Sequence, residues 1–200
     1  MIDVIDYGAG NLFSVVKALE FLNAQPQILQ APEKYRGGKI IVPGVGAFGD
    51  AMAGLHATGF AEFIHTQVRA GKPVLGICVG LQVLFAGGEE SPGVPGLEFF
   101  AEPVVRFPAK QDKVPHMGWN QLEIKRESKL LRGIRSGDFV YFAHSYCVAD
   151  AGQNYAAAIC HYSASFVAVL EKENLYGVQF HPEKSQSAGM RILKNFVELC

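Results

Sequence analysis

Short apolar runs alternate with stretches of helical periodicity through the first half of the chain. Four apolar runs have the length of a buried strand: 2–5, 27–29, 39–42 and 73–77. Three stretches repeat apolar residues at helical spacing: Leu12–Leu22, Phe60–Val68 and Leu81–Ala86. Loops containing glycine follow several of the strands, the first at 7–11. This alternation predicts a mostly parallel sheet with helices on both faces.

The second half of the chain has shorter and more closely spaced apolar runs. They lie at Val104–Phe107, Gln121–Ile124, Phe139–Phe142, Ala156–Ile159, Phe166–Glu171 and Leu175–Phe180. Short strands at this spacing predict antiparallel additions to the sheet, and Met190–Leu199 predicts a closing amphipathic helix. The predicted fold class is therefore α/β, with an open, mostly parallel sheet flanked by helices and antiparallel strands added in the C-terminal half. No linker or repeat interrupts the pattern, so residues 1–200 are expected to form a single domain.

The composition supports a large core and excludes several classes of function. Apolar residues make up 49% of the chain and charged residues 18%, which is too apolar for a disordered segment. Lys and Arg total 18 against 19 Asp and Glu, with no basic cluster, so nucleic acid is not an expected partner. No apolar stretch approaches the roughly 20 residues that span a bilayer, so no membrane association is expected. The low charge fits a chain that covers part of its surface with a partner.

The cysteines indicate a reducing compartment. There are four of them, without a CxxC pair: Cys78, Cys147, Cys160 and Cys200. Because the N-terminus also lacks the pattern of a signal peptide, we expect a reduced, cytoplasmic protein. The sequence contains no HExxH motif and no paired-carboxylate motif, so neither a metal nor another cofactor is expected.

The pentapeptide Gly76-Ile77-Cys78-Val79-Gly80 predicts a nucleophile. It is the G-x-S-x-G elbow with cysteine at its centre, placed between a predicted strand and a predicted helix. Such a turn presents the sulfur at the carboxyl end of the sheet, and the helix N-terminus favours the thiolate. The backbone N–H of Val79 would face a developing oxyanion. The alternative is a buried structural cysteine, which is the default for an isolated Cys; the other three cysteines have no such context.

A base for this nucleophile is predicted at His181. The apolar run 176–180 delivers His181 to a turn that starts at Pro182, and Glu183 follows two residues later, where an extended backbone points both side chains the same way. The carboxylate could then fix the imidazole tautomer, as in a serine triad. A surface turn is the alternative interpretation of His-Pro-Glu taken alone.

Two other histidines follow or begin apolar runs near aromatic residues. His144 ends the run that starts at Phe139 and is the main rival base; we expect it to bind substrate, with a structural histidine as the alternative. His116 lies near Trp119 in an aromatic loop, and a packing role explains it at least as well as a functional one.

The loop Pro43-Gly44-Val45-Gly46 is a candidate for a second part of an oxyanion hole. It follows a predicted strand, and its glycines leave backbone N–H groups free to face a ligand. An ordinary turn between strand and helix is the alternative.

These residues together resemble the class I (triad) glutamine amidotransferases, whose fold is flavodoxin-like. The segments 76–82 and 177–183 are similar to the nucleophile and His/Glu segments of that family. Five further stretches are similar to its glutaminase subunits in histidine biosynthesis: 5–12, 43–48, 114–120, 141–146 and 181–186. Val79 departs from the pattern, which commonly has Leu there, and Cys147 stands where an aromatic residue is frequent.

The resemblance implies a mechanism without a cofactor. Cys78 would attack the carboxamide carbon of L-glutamine, His181 would move the proton with Glu183 orienting it, and water would cleave the thioester to glutamate. The oxyanion would be held by backbone groups of Gly44, Val45, Gly46 and Val79. The resemblance also assigns four residues to glutamine binding: Gln82, His144, Ser145 and Tyr146.

The resemblance further implies a heterodimer with a (β/α)8-barrel cyclase subunit. That partner would use the ammonia to make imidazole glycerol phosphate and an aminoimidazole carboxamide ribotide. Trp119, Tyr141 and Lys184 are expected to face it, because the only tryptophan is a typical interface anchor; a core tryptophan is the alternative. Two other functions stay open: a glutaminase subunit of another biosynthetic synthase, and a Cys–His hydrolase such as a γ-glutamyl hydrolase.

Overall fold

The computed structural model describes residues 1–8, 11–108 and 112–200. Two residues of the predicted loop at 7–11, Ala9 and Gly10, lie outside the described residues, as do 109–111. In chain order the strands are β1 (Ile2–Ile5), β2 (Pro26–Leu29), β3 (Lys39–Val42), β4 (Val74–Ile77), β5 (Phe85–Gly88), β6 (Phe100–Arg106), β7 (His116–Gln121), β8 (Glu123–Ile124), β9 (Phe139–His144), β10 (Tyr146–Cys147), β11 (Ala156–His161), β12 (Ser165–Lys172) and β13 (Leu175–Val178). The α-helices are α1 (Leu12–Phe21), α2 (Phe48–Ala57), α3 (Phe60–Arg69), α4 (Val79–Gln82) and α5 (Gln186–Leu199).

An eight-stranded sheet forms the centre of the fold, in the order β2-β1-β3-β4-β13-β12-β11-β8. The first five strands of that order run parallel, and β12, β11 and β8 are added antiparallel. All residues of β1, β4 and β13 are buried, as expected for parallel strands covered on both faces. The predicted mixed α/β fold class is confirmed.

Two smaller sheets were not distinguished by the sequence pattern. β5 and β10 pair with opposite edges of β6, and within the described residues β7 pairs with β9 alone. We call the β7–β9 pair the ribbon. Part of the predicted antiparallel addition therefore lies beside the central sheet, because these strands pair with one another instead.

The predicted helix at Leu81–Ala86 is wrong from Val83 onward. Helix α4 ends at Gln82, and the chain then becomes extended in β5. The carbonyls of Val83 and Phe85, which a continuing helix would use, accept hydrogen bonds from the returning segment at Leu97 and Glu98. Tertiary pairing overrides the local helical spacing here.

The other helices follow apolar periodicity with small shifts at their ends. Helix α2 was not predicted, and α5 begins four residues before the expected Met190. None of the helices in the described parts of the chain is long and apolar enough to cross a membrane.

Candidate active site

Strand β4 ends at Ile77 and helix α4 begins at Val79, so Cys78 alone makes the turn between them. Cys78 has a φ of 55°, a conformation that costs free energy for a residue with a side chain. Its N–H donates to the Val178 carbonyl oxygen (2.8 Å), and its own carbonyl accepts from the N–H of Leu81 (3.0 Å). The backbone of Cys78 is therefore held between two parallel strands and a helix N-terminus.

Three glycines let the backbone approach closely enough to form this turn. A Cβ at Gly80 would collide with the Val42 carbonyl oxygen, and one at Gly76 with the Gly80 carbonyl oxygen. A Cβ at Gly44 would lie 2.5 Å from the Gly80 nitrogen. The Pro43–Gly46 loop therefore lies directly against the segment 76–80, which we call the elbow.

His181 and Glu183 form a buried hydrogen-bonded pair. Nδ1 of His181 lies 3.0 Å from Oε1 of Glu183, and their side chains are 4% and 1% exposed. The backbone N–H of His181 donates to the Tyr141 carbonyl oxygen (2.9 Å), and the Ser185 hydroxyl donates to the backbone carbonyl oxygen of His181 (2.6 Å). The imidazole is thus fixed both through its ring and through its backbone.

The pKa of His181 reflects a balance of opposed effects. Burial lowers it, but hydrogen bonds to Cys78 and Glu183 and the negative charges of both groups raise it, and the result is a pKa of about 9. The imidazolium is therefore favoured when Cys78 is a thiolate. In contrast, burial raises the pKa of Cys147 and Cys160 to about 12, which leaves both as unreactive thiols.

A cavity of about 300 Å³ opens over the sulfur. Its walls come from the elbow, the Pro43–Gly46 loop, the end of β9 and the turn after His181. Its lining residues are Val45, Gly46, Cys78, Val79, Gln82, Glu90, Pro115, Met117, Ala143, His144, Ser145, Tyr146, His181 and Lys184. All four residues assigned to glutamine binding from the sequence lie in this wall.

The two ring nitrogens of His144 are both bonded within the protein. Nδ1 lies 2.8 Å from the Tyr146 carbonyl oxygen, which can only accept, so Nδ1 carries the proton. Nε2 must then accept from Nδ1–H of His116 (3.1 Å), and Nε2 of His116 accepts from the Asn120 amide (3.3 Å). Burial lowers the pKa of His144 to about 3 and that of His116 to about 4. Both rings are therefore neutral, and His144 cannot replace His181 as the base that becomes positively charged.

The comparisons with known proteins decide the family. The family model described as glutamine amidotransferase class-I matches residues 3–200.

The chain belongs to the class I glutamine amidotransferase family.

Relatives and solved structures agree with this family assignment. The protein named imidazole glycerol phosphate synthase subunit HisH from Caldanaerobacter subterraneus subsp. tengcongensis is 45% identical, over 100% of this chain and 98% of its own. The protein of the same name from Methanosarcina acetivorans is 49% identical, over 98% of each chain. A crystal structure titled glutamine amidotransferase has a TM-score of 0.77 at 20% identity, covering 98% of this chain and 97% of its own. That last likeness concerns the fold alone.

The expected partner-facing residues of this amidotransferase lie on the ribbon and beside it. Trp119 is 44% exposed, so the alternative of a core tryptophan is excluded. Its ring meets that of Tyr141 edge to face, with centroids 6.0 Å apart, and Nζ of Lys184 lies 5.9 Å from the Tyr141 centroid. Trp119 thus packs against Tyr141, and Tyr141 lies beside Lys184, which lines the cavity.

Sequence reasoning missed two polar residues of the amidotransferase site. Glu90 lines the cavity, and its carboxylate accepts from the Phe48 N–H at the start of α2 (2.7 Å). Gln179 is fully buried, and its Nε2 lies 3.8 Å from the Cys78 sulfur. Gln179 had a signal, since it stands two residues before His181 in the same strand run, whereas Glu90 lies in a loop without one.

Proposed function

We propose that this chain is a glutaminase subunit of imidazole glycerol phosphate synthase, which hydrolyses L-glutamine and delivers the ammonia to a cyclase subunit. The observation that carries the proposal is Cys78 on a strained elbow, lining one cavity with His181, which is itself hydrogen-bonded to the buried Glu183. The relatives named HisH, which match this chain from end to end, support the particular synthase.

The chemistry follows from the arrangement of these three side chains. His181 takes the thiol proton as the Cys78 sulfur attacks the carboxamide carbon, which gives a tetrahedral oxyanion. The Val79 N–H and backbone N–H groups of the Pro43–Gly46 loop stabilise that oxyanion. The C–N bond then breaks, His181 protonates the departing ammonia, and a glutamyl thioester remains. Water activated by His181 cleaves the thioester to glutamate and restores the thiol.

Glutamine is a zwitterion, and the cavity offers groups for each end. Nε2 of Gln82 donates to the Tyr146 carbonyl (2.9 Å), so its Oε1 faces the other way and can accept from the substrate. The Glu90 carboxylate can receive the α-ammonium group. Backbone groups at Ser145 and Tyr146, positioned by His144, can hold the α-carboxylate.

The outer face of the ribbon is proposed to dock a (β/α)8-barrel cyclase in the cytoplasm. The register pairs Met117 with Ala143 and Trp119 with Tyr141, so these side chains share one face. Met117 and Phe139 are 67% and 51% exposed on that face. Exposed apolar side chains grouped in this way are typical of a protein interface, and they adjoin the cavity from which ammonia must leave.

A reconstitution experiment tests the proposal. Glutamine hydrolysis by this chain is measured alone, with the cyclase subunit and its ribulosyl phosphate ligand, and with other synthases that consume ammonia. We expect the cyclase subunit with its ligand to stimulate glutamine hydrolysis, and the other synthases to leave it unchanged. Stimulation by a different synthase would reassign the pathway, and partner-independent turnover of a γ-glutamyl peptide would indicate a hydrolase.

A further inference from the structure

Gln179 occupies a buried position beside the nucleophile. It follows β13 directly, its side chain is fully buried, and its N–H donates to the Ala168 carbonyl oxygen (3.0 Å). Its Oε1 accepts from Nε2 of Gln82 (3.2 Å), and its Nε2 faces the Cys78 sulfur at 3.8 Å. Packing alone does not explain a buried amide whose donor is directed at the reacting atom.

The orientation of the amide is determined by its neighbours. The Tyr146 carbonyl oxygen can only accept, so the nitrogen of Gln82 must face it. That nitrogen has a second hydrogen for Gln179, which must therefore present its oxygen to Gln82. The nitrogen of Gln179 is left facing the sulfur. A flip of either amide would set two donors or two acceptors against each other inside the protein.

We infer that Gln179 is a further catalytic residue, whose Nε2–H donates to the Cys78 sulfur and stabilises its thiolate form. The role rests on the proposed function, since it concerns the same nucleophile. A donor binds a charged acceptor more strongly than a neutral one, so this contact favours the thiolate over the thiol.

The same contacts connect substrate binding to the nucleophile. Gln82 lines the cavity and holds Gln179, while Gln179 holds the sulfur. A substrate that orders Gln82 therefore also orders the donor to Cys78. The role of Gln179 should accordingly be visible in kcat more than in KM.

The test is alkylation of Cys78 by iodoacetamide across pH 5 to 9 in the full chain, quantified by peptide mass spectrometry. Gln179→Met keeps the length of the side chain but has no donor. We expect its alkylation rate at pH 7 to fall roughly tenfold and the midpoint of its pH profile to move about one unit upward. With the cyclase present, kcat should fall about tenfold while KM changes less than about twofold. Gln67→Met, on α3, serves as the matched control and should match the wild type.

An alkylation profile of Gln179→Met that coincides with that of the wild type would overturn the inference. If this variant does not fold, Gln179→Glu decides, because it keeps the acceptor for Gln82, while its second oxygen removes the donor and places a negative charge beside the sulfur. We expect the alkylation rate and kcat of Gln179→Glu to fall at least as much as those of Gln179→Met. Wild-type values of both would again refute the role. Alkylation needs no glutamine turnover, so the result is independent of whether the proposed function holds.

Discussion

The elbow and the ribbon both line one cavity but are built on different principles. The elbow lies between parallel strands of the central sheet, is fully buried and depends on glycines that allow backbone contact. The ribbon is a pair of strands with one buried face, where His116 and His144 lie, and one exposed face, where Met117 and Trp119 lie. Two strands alone have little stability. The exposed apolar face of the ribbon adds no stability to the isolated chain. This argues that the face serves to bind a partner.

The first prediction compares a buried carboxylate beside the catalytic histidine with a carboxylate beside a surface histidine. Glu183→Gln should lower kcat about a thousandfold, because the neutral amide neither holds the His181 ring in its orientation nor stabilises its positive charge. Glu123 provides a matched control, since its carboxylate lies 2.7 Å from Nε2 of His161 on the surface. Glutaminase assays on the partner complex should show Glu123→Gln at wild-type rate. Equal losses in the two variants would mean that the buried pair has no special role.

The second prediction concerns the packing of the elbow. Gly80→Ala should lower the free energy of unfolding by about 3 kcal/mol or prevent folding, because its Cβ would collide with the Val42 carbonyl oxygen. At Gly88 the nearest neighbours of a Cβ would be the Phe48 and Val104 side chains at 3.5 Å, an ordinary contact. Urea titration should therefore find Gly88→Ala close to wild type, and a similar cost at both positions would contradict the account.

The third prediction concerns the ribbon. Trp119→Ala should raise the Kd for the cyclase about tenfold to a hundredfold, as loss of an interface anchor does, while stability stays within about 0.5 kcal/mol. Phe21→Ala removes a side chain that is 80% exposed at the end of α1 and should leave the Kd unchanged. Calorimetric titration measures both. A destabilised Trp119→Ala with unchanged affinity would assign Trp119 to the fold.

The fourth prediction is a dependence of stability on pH. The pKa of His181 rises from 6.5 to about 9 on folding, so the folded state binds the proton more tightly. The stabilisation is fully present below pH 6.5 and is lost as pH rises through 9. Cys78→Ala removes one of the groups that raise this pKa. Between pH 6.5 and 9, wild-type stability should fall about 1 kcal/mol more than that of the variant; parallel curves would exclude the coupling.

Sequence periodicity predicted the elbow region more fully than the ribbon. The strands β1, β3 and β4 are mostly apolar, with Asp3 in β1 and Lys39 at the start of β3 as the exceptions. A Cys between glycines after a run such as β4 has few structural alternatives. The ribbon depends on which short strands pair, and that choice is made by tertiary contacts. The same holds for β5, where the returning chain at Leu97 takes the carbonyls that a helix would need.

The polar contacts of the site were the hardest to predict. Glu90 reaches the cavity from a loop because it caps α2, a helix whose apolar residues have helical spacing but which contains two helix-disfavouring glycines, Gly49 and Gly54. The His144–His116 contact joins residues 28 positions apart through the register of the ribbon. Such contacts follow from the assembled fold and have no local signature.

The central claim is that Cys78 forms a covalent glutamyl intermediate, and acid quenching tests it most directly. The chain is mixed with the cyclase subunit and L-glutamine, quenched during turnover, and digested for peptide mass spectrometry. We expect a glutamyl thioester on the peptide that contains Cys78, and neither adduct nor glutamate from Cys78→Ala, which should still bind the cyclase. Glutamate production by Cys78→Ala at the wild-type rate, or an adduct on another residue, would contradict the account.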